Sequence, residues 1–313
     1  METPRRHSDV RVLPIVMLIV RKGMIMRKAT YRGCLALSLG AVVSVGACAR
    51  PTDSHGEGAE ARMPDGKIIK NVVNDRTYTN EPVEARLGPH RFMIPANYYN
   101  DQVGPSAGIG LELTLFWPTL EPAPPGNYPA RTVNEQYRQA STTVVPVDRV
   151  PIDSVLDRMV TTDWTAEAGS LRRRDPRARL ELRMQQPEMF GLTPYIIDEE
   201  RMGPFAKAFE AINGHEPLRN PATEKDWYIA RSPDGALVTF IACSSKRLWG
   251  DGLMVSAGEI TSDGSAQAAM CSHHFVDSDK RIAFNMSYPR VLLRDWKRME
   301  EAMRDVIDRY QIS

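Results

Sequence analysis

The sequence predicts an α+β fold: antiparallel sheet, in one or more pieces, with a few packed helices. Three observations carry that prediction. Short stretches of alternating apolar residues recur through the chain, separated by turn residues. Helical patterns are few and stand apart from these stretches, which argues against a parallel βαβ sheet. The chain also closes on a long amphipathic helix. Leu292, Trp296, Met299, Met303, Val306 and Tyr310 fall at steps of 4, 3, 4, 3 and 4, one continuous apolar face.

The elements follow in chain order. Arg91-Phe92-Met93-Ile94, bounded by Pro89 and Pro95, suits a strand. Ile109, Leu111, Leu113, Leu115 and Trp117 alternate onto one face, and Pro118 stops that strand. Pro122-Ala123-Pro124-Pro125-Gly126 is an extended loop. Residues 151–160 suit a short helix, with Pro151 in its first turn and Ile152, Val155, Leu156 and Met159 on one side. Leu180, Leu182 and Met184 alternate with charges and read as a half-exposed strand. Phe190 to Ile197 is a further strand, weakened by Gly191 and Pro194. Pro204 to Asn213 is helical by pattern. Phe205, Ala208, Phe209 and Ile212 form its expected buried stripe, and Gly214 sits at the C-terminal cap.

The last third is clearer. Trp227 to Ala230 and Ala236 to Ala242 flank Ser232-Pro233-Asp234-Gly235. Proline fixes φ, aspartate caps the turn and glycine tolerates positive φ, so this is a hairpin. Strands are expected near Met254 to Ile260, Ala268 to Val276 and Arg281 to Met286. Pro289 opens the final helix. No repeat of twenty to fifty residues stands out, which argues against a solenoid, and a division into two lobes is left open.

The N-terminal region has a different character. Arg27, Lys28 and Arg32 precede an apolar run, Leu35 to Ala47, that ends in small residues before Cys48. A positive region, a short apolar region and small residues at a cut are the parts of a secretory signal. From Cys34 to Ala47 the run is about fourteen residues, where a membrane-spanning helix needs about twenty. Met24 or Met26 leaves a compact signal, so the residues before them read as an over-long gene start. Val45-Gly46-Ala47-Cys48 resembles the lipobox of bacterial lipoproteins. The resemblance implies a diacylglyceryl group on the Cys48 sulfur, cleavage before Cys48 and acylation of its new amine. It also implies anchoring at the outer membrane, facing the periplasm, because Ala49 stands where an inner-membrane retention signal has Asp. Residues 1–47 are then signal, 48–85 a flexible tether and 86–313 the periplasmic α+β domain.

Removing residues 1–47 changes the sign of the charge. Beyond them 37 acidic side chains outnumber 32 basic ones. A net negative field gives no grip on nucleic-acid phosphates. Membrane attachment then falls to acyl chains, at about 0.8 kcal/mol per buried CH2. Cys34 leaves with the signal and Cys48 carries lipid, so Cys243 and Cys271 remain. They are either a disulfide or two buried thiols, and an oxidising compartment favours the bridge.

The motifs that suggest chemistry lack its supporting structure. Gly104-Pro105-Ser106-Ala107-Gly108 matches G-x-S-x-G, which requires a strand before the serine and a helix after it. Here the strand follows. Cys271-Ser272-His273-His274 with Cys243 lacks the paired spacing of a zinc site, and neighbouring histidines on a strand face opposite ways. No metal site and no cofactor is expected. Arg172-Arg173-Arg174 reads as a solvated loop. Asp198-Glu199-Glu200 suits a pair of catalytic acids or the start of a helix.

An address, a stapled domain and no coherent catalytic set point to a non-enzymatic, lipid-anchored periplasmic binding protein. His90-Arg91-Phe92-Met93-Ile94-Pro95 and Arg294-Asp295-Trp296-Lys297-Arg298, with the anchor, size and acidity, resemble lipoprotein immunity proteins. Those neutralise toxins delivered into the periplasm by contact-dependent secretion. The resemblance implies a protein partner, a secreted toxin. The loop 118–129, with Pro124 and Pro125, and the segment 244–252, with Trp249, are the expected contacts. The alternatives are an envelope hydrolase using Ser106 or the acids at 198–200, and a structural subunit of an envelope assembly.

Overall fold

The computed structural model describes residues 67–312 except 107, 109, 128–132, 221–222 and 266. The signal, Cys48, the start of the tether and Ile109 lie outside the described residues.

The first strands are β1 (Lys70–Val73), β2 (Arg76–Thr79), β3 (Pro82–Leu87), β4 (His90–Pro95), β5 (Leu111–Phe116) and β6 (Gln139–Pro146). Next come β7 (Arg183–Gln185), β8 (Thr193–Ile197), β9 (Lys225–Arg231) and β10 (Leu237–Ser244). The last are β11 (Leu253–Ser256), β12 (Glu259–Ser262), β13 (Met270–Asp277), β14 (Ile282–Pro289) and β15 (Gln311–Ile312). The helices are α1 (Val133–Tyr137), α2 (Ser154–Asp157), α3 (Glu199–Asn213) and α4 (Trp296–Tyr310).

One eight-stranded antiparallel sheet dominates, in the order β5-β6-β14-β13-β10-β9-β8-β7. A three-stranded sheet, β15-β4-β3, and the hairpins β1-β2 and β11-β12 complete the strands. Period-two alternation builds the main core. Leu111, Leu113 and Leu115 of β5, Cys271 and Phe275 of β13, and Phe284, Met286 and Tyr288 of β14 all point to it. Phe92 and Ile94 of β4 meet them from the small sheet, as do Met299, Met303 and Val306 of α4. A second cluster lies elsewhere, with Leu156 of α2 against Trp227, Ile229 and Phe240. The fold is therefore α+β, as the pattern predicts.

Where α4 meets the sheet, a polar network replaces apolar packing. Glu300 accepts from Thr239 Oγ1 at 2.9 Å, His273 Nε2 at 3.1 Å and Arg304 Nη2 at 2.8 Å. Burial depresses the pKa of His273, so the imidazole stays neutral. Burial also works against the Glu300 carboxylate, but hydrogen bonds from His273 and Arg304 outweigh it and keep its pKa low. With Nε2 donating to Glu300, Nδ1 is left to accept from the Tyr288 hydroxyl at 3.4 Å.

Several expectations need correction. Residues 70–85, expected in the tether, form β1, β2 and the first part of β3. Asn74 and Asp75 both take positive φ, 49° and 61°, which makes a two-residue hairpin turn. Residues 180–182 form a 3-10 turn, and only Arg183–Gln185 is strand. The reason is Arg183, which turns inward and donates to the carbonyls of Lys225 at 2.8 Å and Arg177 at 2.7 Å. The region 254–260 is a hairpin turning at Ala257 and Gly258, not one strand. α3 begins five residues before Pro204, because Asp198 caps it by accepting from the backbone N–H groups of Glu200 and Arg201. Its buried side chains are Met202 and Phe205, while Ile212 is 69% exposed. Gly214 ends it in the left-handed region at φ 76°.

Candidate functional site

Three loops and one sheet edge converge on a groove. The β7–β8 turn, the β10–β11 loop, β11 and the 3-10 segment Arg290–Asp295 supply its walls. One half, of about 420 Å3, is lined by Met184, Ile196, Tyr228 and Arg247 among others. The other half, of about 640 Å3, is lined by Trp117, Phe190, Met254 and Arg294 among others. Met189 and Lys246 line both, so the two halves adjoin.

Buried donors fix the walls. Arg290 is 4% exposed. Its Nε donates to Asp251 at 2.6 Å, and its other nitrogens donate to the carbonyls of Ser244 and, at 2.9 Å, Trp249. One guanidinium thus ties both ends of the β10–β11 loop to the start of the C-terminal helical segment. Asp226 accepts from the Lys246 N–H at 2.8 Å. Gly252, at φ 71°, lies so close to the Gln267 carbonyl that a Cβ would sit 2.1 Å from it, so only glycine fits. The disulfide Cys243–Cys271 joins directly opposed residues of β10 and β13 at the root of this loop. On the far wall, the Trp296 indole donates to the Phe190 carbonyl at 2.8 Å. The Trp117 indole donates to Asp295 at 2.8 Å.

An ionic knot supports the smaller half. Glu224 is fully buried and accepts from Arg219 and Arg247. The same two arginines bridge Glu199 at 2.7 Å and 3.3 Å. The Arg219 hydrogen bond, opposed by partial burial, holds the Glu199 carboxyl below the usual carboxylate range. This wall is charged yet internally neutralised.

The residues singled out in the sequence divide between this groove and other places. Trp249 lies in the β10–β11 loop, half-buried, between two groove residues. Pro124 and Pro125 do not line the groove. Gln102 binds the carbonyls of Ala123 and Pro124, and Asn71 binds that of Pro125. Pro124 stays exposed while Pro125 is buried, so the expectation of Pro125 as a contact surface is corrected: its ring faces inward. Ser106 is exposed in the loop leading into β5, and no helix follows it to form a nucleophile elbow. Asp198 caps α3, and Glu199 is held in the knot. Arg173 is tied to Asp163 at 2.8 Å. His273 enters the core, whereas His274, on the other face, stacks on Phe240 at 5.8 Å. Among the described residues, no three of His, Cys, Asp and Glu gather as metal ligands.

Sequence reasoning missed Phe190 and Arg290. Phe190 reads as the first residue of a strand, and Arg290 as an ordinary cation before a helix. The one local signal was Phe190-Gly191, an aromatic residue beside a turn former.

Comparison with solved structures decides the family. The chain is 42% identical to Smlt3025, an immunity protein of the Stenotrophomonas maltophilia type IV secretion system. The match covers 79% of this chain and 99% of that one, with a TM-score of 0.73. This chain belongs to the Smlt3025 family. No family model matches it, and no curated protein does. Among the described residues no helix is long and apolar enough to cross a membrane.

Proposed function

We propose that the chain is an immunity protein: it binds a secreted protein toxin in the periplasm and blocks it without catalysis of its own. The observation that carries this reading is the 42% identity to Smlt3025 across 99% of that chain. The site geometry supports it. Several side chains weighed for chemistry are committed to structure, Cys243 to a disulfide, Asp198 to a helix cap and Glu199 to an ionic knot. What the surface offers is a pre-formed groove with fixed walls, which suits binding by complementarity. The lipobox supplies the location: acyl chains on Cys48 hold the domain at the outer membrane, where a toxin delivered from a neighbouring cell arrives.

The test is protection in cells. The products of the genes flanking this one are each exported to the periplasm of a sensitive host, and the one that kills it is the effector used. Cells that also make the full chain are expected to survive. Cells making Cys48→Ser, which takes up no labelled palmitate, are expected to lose the anchor and part of the protection. Death of cells that make the wild-type chain in normal amounts contradicts the reading. Undiminished palmitate labelling of Cys48→Ser contradicts the anchor.

A further inference from the structure

The larger half of the groove carries more information than its shape. At its rim, Phe190 takes φ 56°, a left-handed conformation that bulky residues avoid. The Trp296 indole fixes its carbonyl, and its side chain is 43% exposed. Phe190 and Gly191 are the central pair of a tight turn closed by Met189 and Leu192, and that turn carries the ring out toward solvent. Met254 and Val255, 54% and 42% exposed, also line this half. Three exposed apolar residues that line one cavity differ from scattered ones, and that sets a docking surface apart.

The charges then choose the occupant. Five charged side chains line this half: Lys246, Asp251, Arg290, Arg294 and Asp295. Asp251 is neutralised by Arg290 at 2.6 Å, and Asp295 by Arg298 at 3.1 Å together with the Trp117 indole. Lys246 and Arg294 are both exposed and, among the described residues, neither has a carboxylate partner. Arg294 lies over the Phe190 ring at 5.5 Å, beside the apolar floor. The open charge of this half is thus positive, although the body beyond residue 47 has more acids than bases. The attraction is local and short-ranged, acting on groups that already sit in the groove.

We infer that this half of the groove receives a toxin loop carrying an apolar side chain flanked by carboxylates. The apolar side chain packs against Phe190, Met254 and Val255, and the carboxylates pair with Lys246 and Arg294. The inference rests on the immunity reading and deepens it. Aromatic and arginine side chains in such a setting are the usual anchors of protein interfaces.

The experiment measures binding of the full chain, purified from membranes in detergent, to the flanking-gene product that kills the sensitive host. Phe190→Asn removes the ring but keeps a residue that tolerates the left-handed backbone. Lys246→Glu with Arg294→Glu reverses the open charge at exposed positions. Each variant is expected to bind at least tenfold more weakly than wild type, at an unchanged melting temperature. Thr143→Arg, on the half-exposed face of β6, is expected to bind as wild type does. Wild-type binding with both groove variants unaffected overturns this inference and leaves the immunity reading standing. Should Phe190→Asn fail to fold, the charge-reversal variant decides alone. No binding by the wild-type chain overturns the immunity reading, and this inference with it.

Discussion

Replacing Cys243 and Cys271 together with alanine is expected to lower stability by about 3.5 kcal/mol, the chain-entropy value for a loop of this size. The two cysteines are 28 residues apart in sequence and directly opposed on β10 and β13. The bridge therefore shortens the unfolded chain across the β10–β11 loop and the β11-β12 hairpin, the segment least tied to the main sheet. Alanine is the right substitute because both positions are buried and a serine hydroxyl there would add its own desolvation cost. For a domain of this size each kcal/mol moves the melting temperature by roughly 2–4 °C. Thermal melts should show a fall of about 7–14 °C. Reductant should produce a similar fall in the wild type and none in the variant. A melt insensitive to both changes contradicts the account.

Arg290→Met is expected to cost about 3 kcal/mol, the scale for removing one member of a buried charged hydrogen-bond set. Methionine keeps the apolar stem and removes the charge. The carbonyls of Ser244 and Trp249 then lose their donor, and Asp251 its counter-charge. The Ser244 position is buried, so water compensates poorly there. The loop itself should loosen. Lys246 and Arg247 are exposed trypsin sites within it, so limited proteolysis should cut there sooner than in the wild type. Urea denaturation supplies the second readout. An unchanged midpoint with unchanged cleavage would show that the guanidinium does not hold the groove.

Local patterns in the sequence revealed several strands of the main sheet and the last helix, but not β6, with which β5 and β14 both pair. β5 and α4 alternate or step so regularly that burial follows from spacing alone, and Ser232-Pro233-Asp234-Gly235 fixes its hairpin chemically. The failures share a cause. The β1-β2 turn uses Asn74-Asp75 and the β11-β12 turn uses Ala257-Gly258, neither framed by strong apolar runs. Their strands are short and mostly exposed, so no periodicity announces them. Pro204 suggested a helix start, yet the Asp198 cap six residues earlier sets it. Arg183 interrupts a strand pattern through contacts with residues 42 positions away, which spacing cannot show. The groove was legible only in part. The segment 244–252 belongs to it, but its far wall comes from residues 186–190 and 290–295. Such a site arises from tertiary convergence, and no window of sequence contains it.

The central claim is that this chain silences a secreted toxin by binding it. The most direct measurement titrates the purified full chain into the flanking-gene product that kills the sensitive host and follows that effector's own activity. The account predicts a linear fall to zero, ending near a fixed whole-number ratio of the two proteins. Full effector activity at a large excess of correctly folded, disulfide-bonded chain would contradict it.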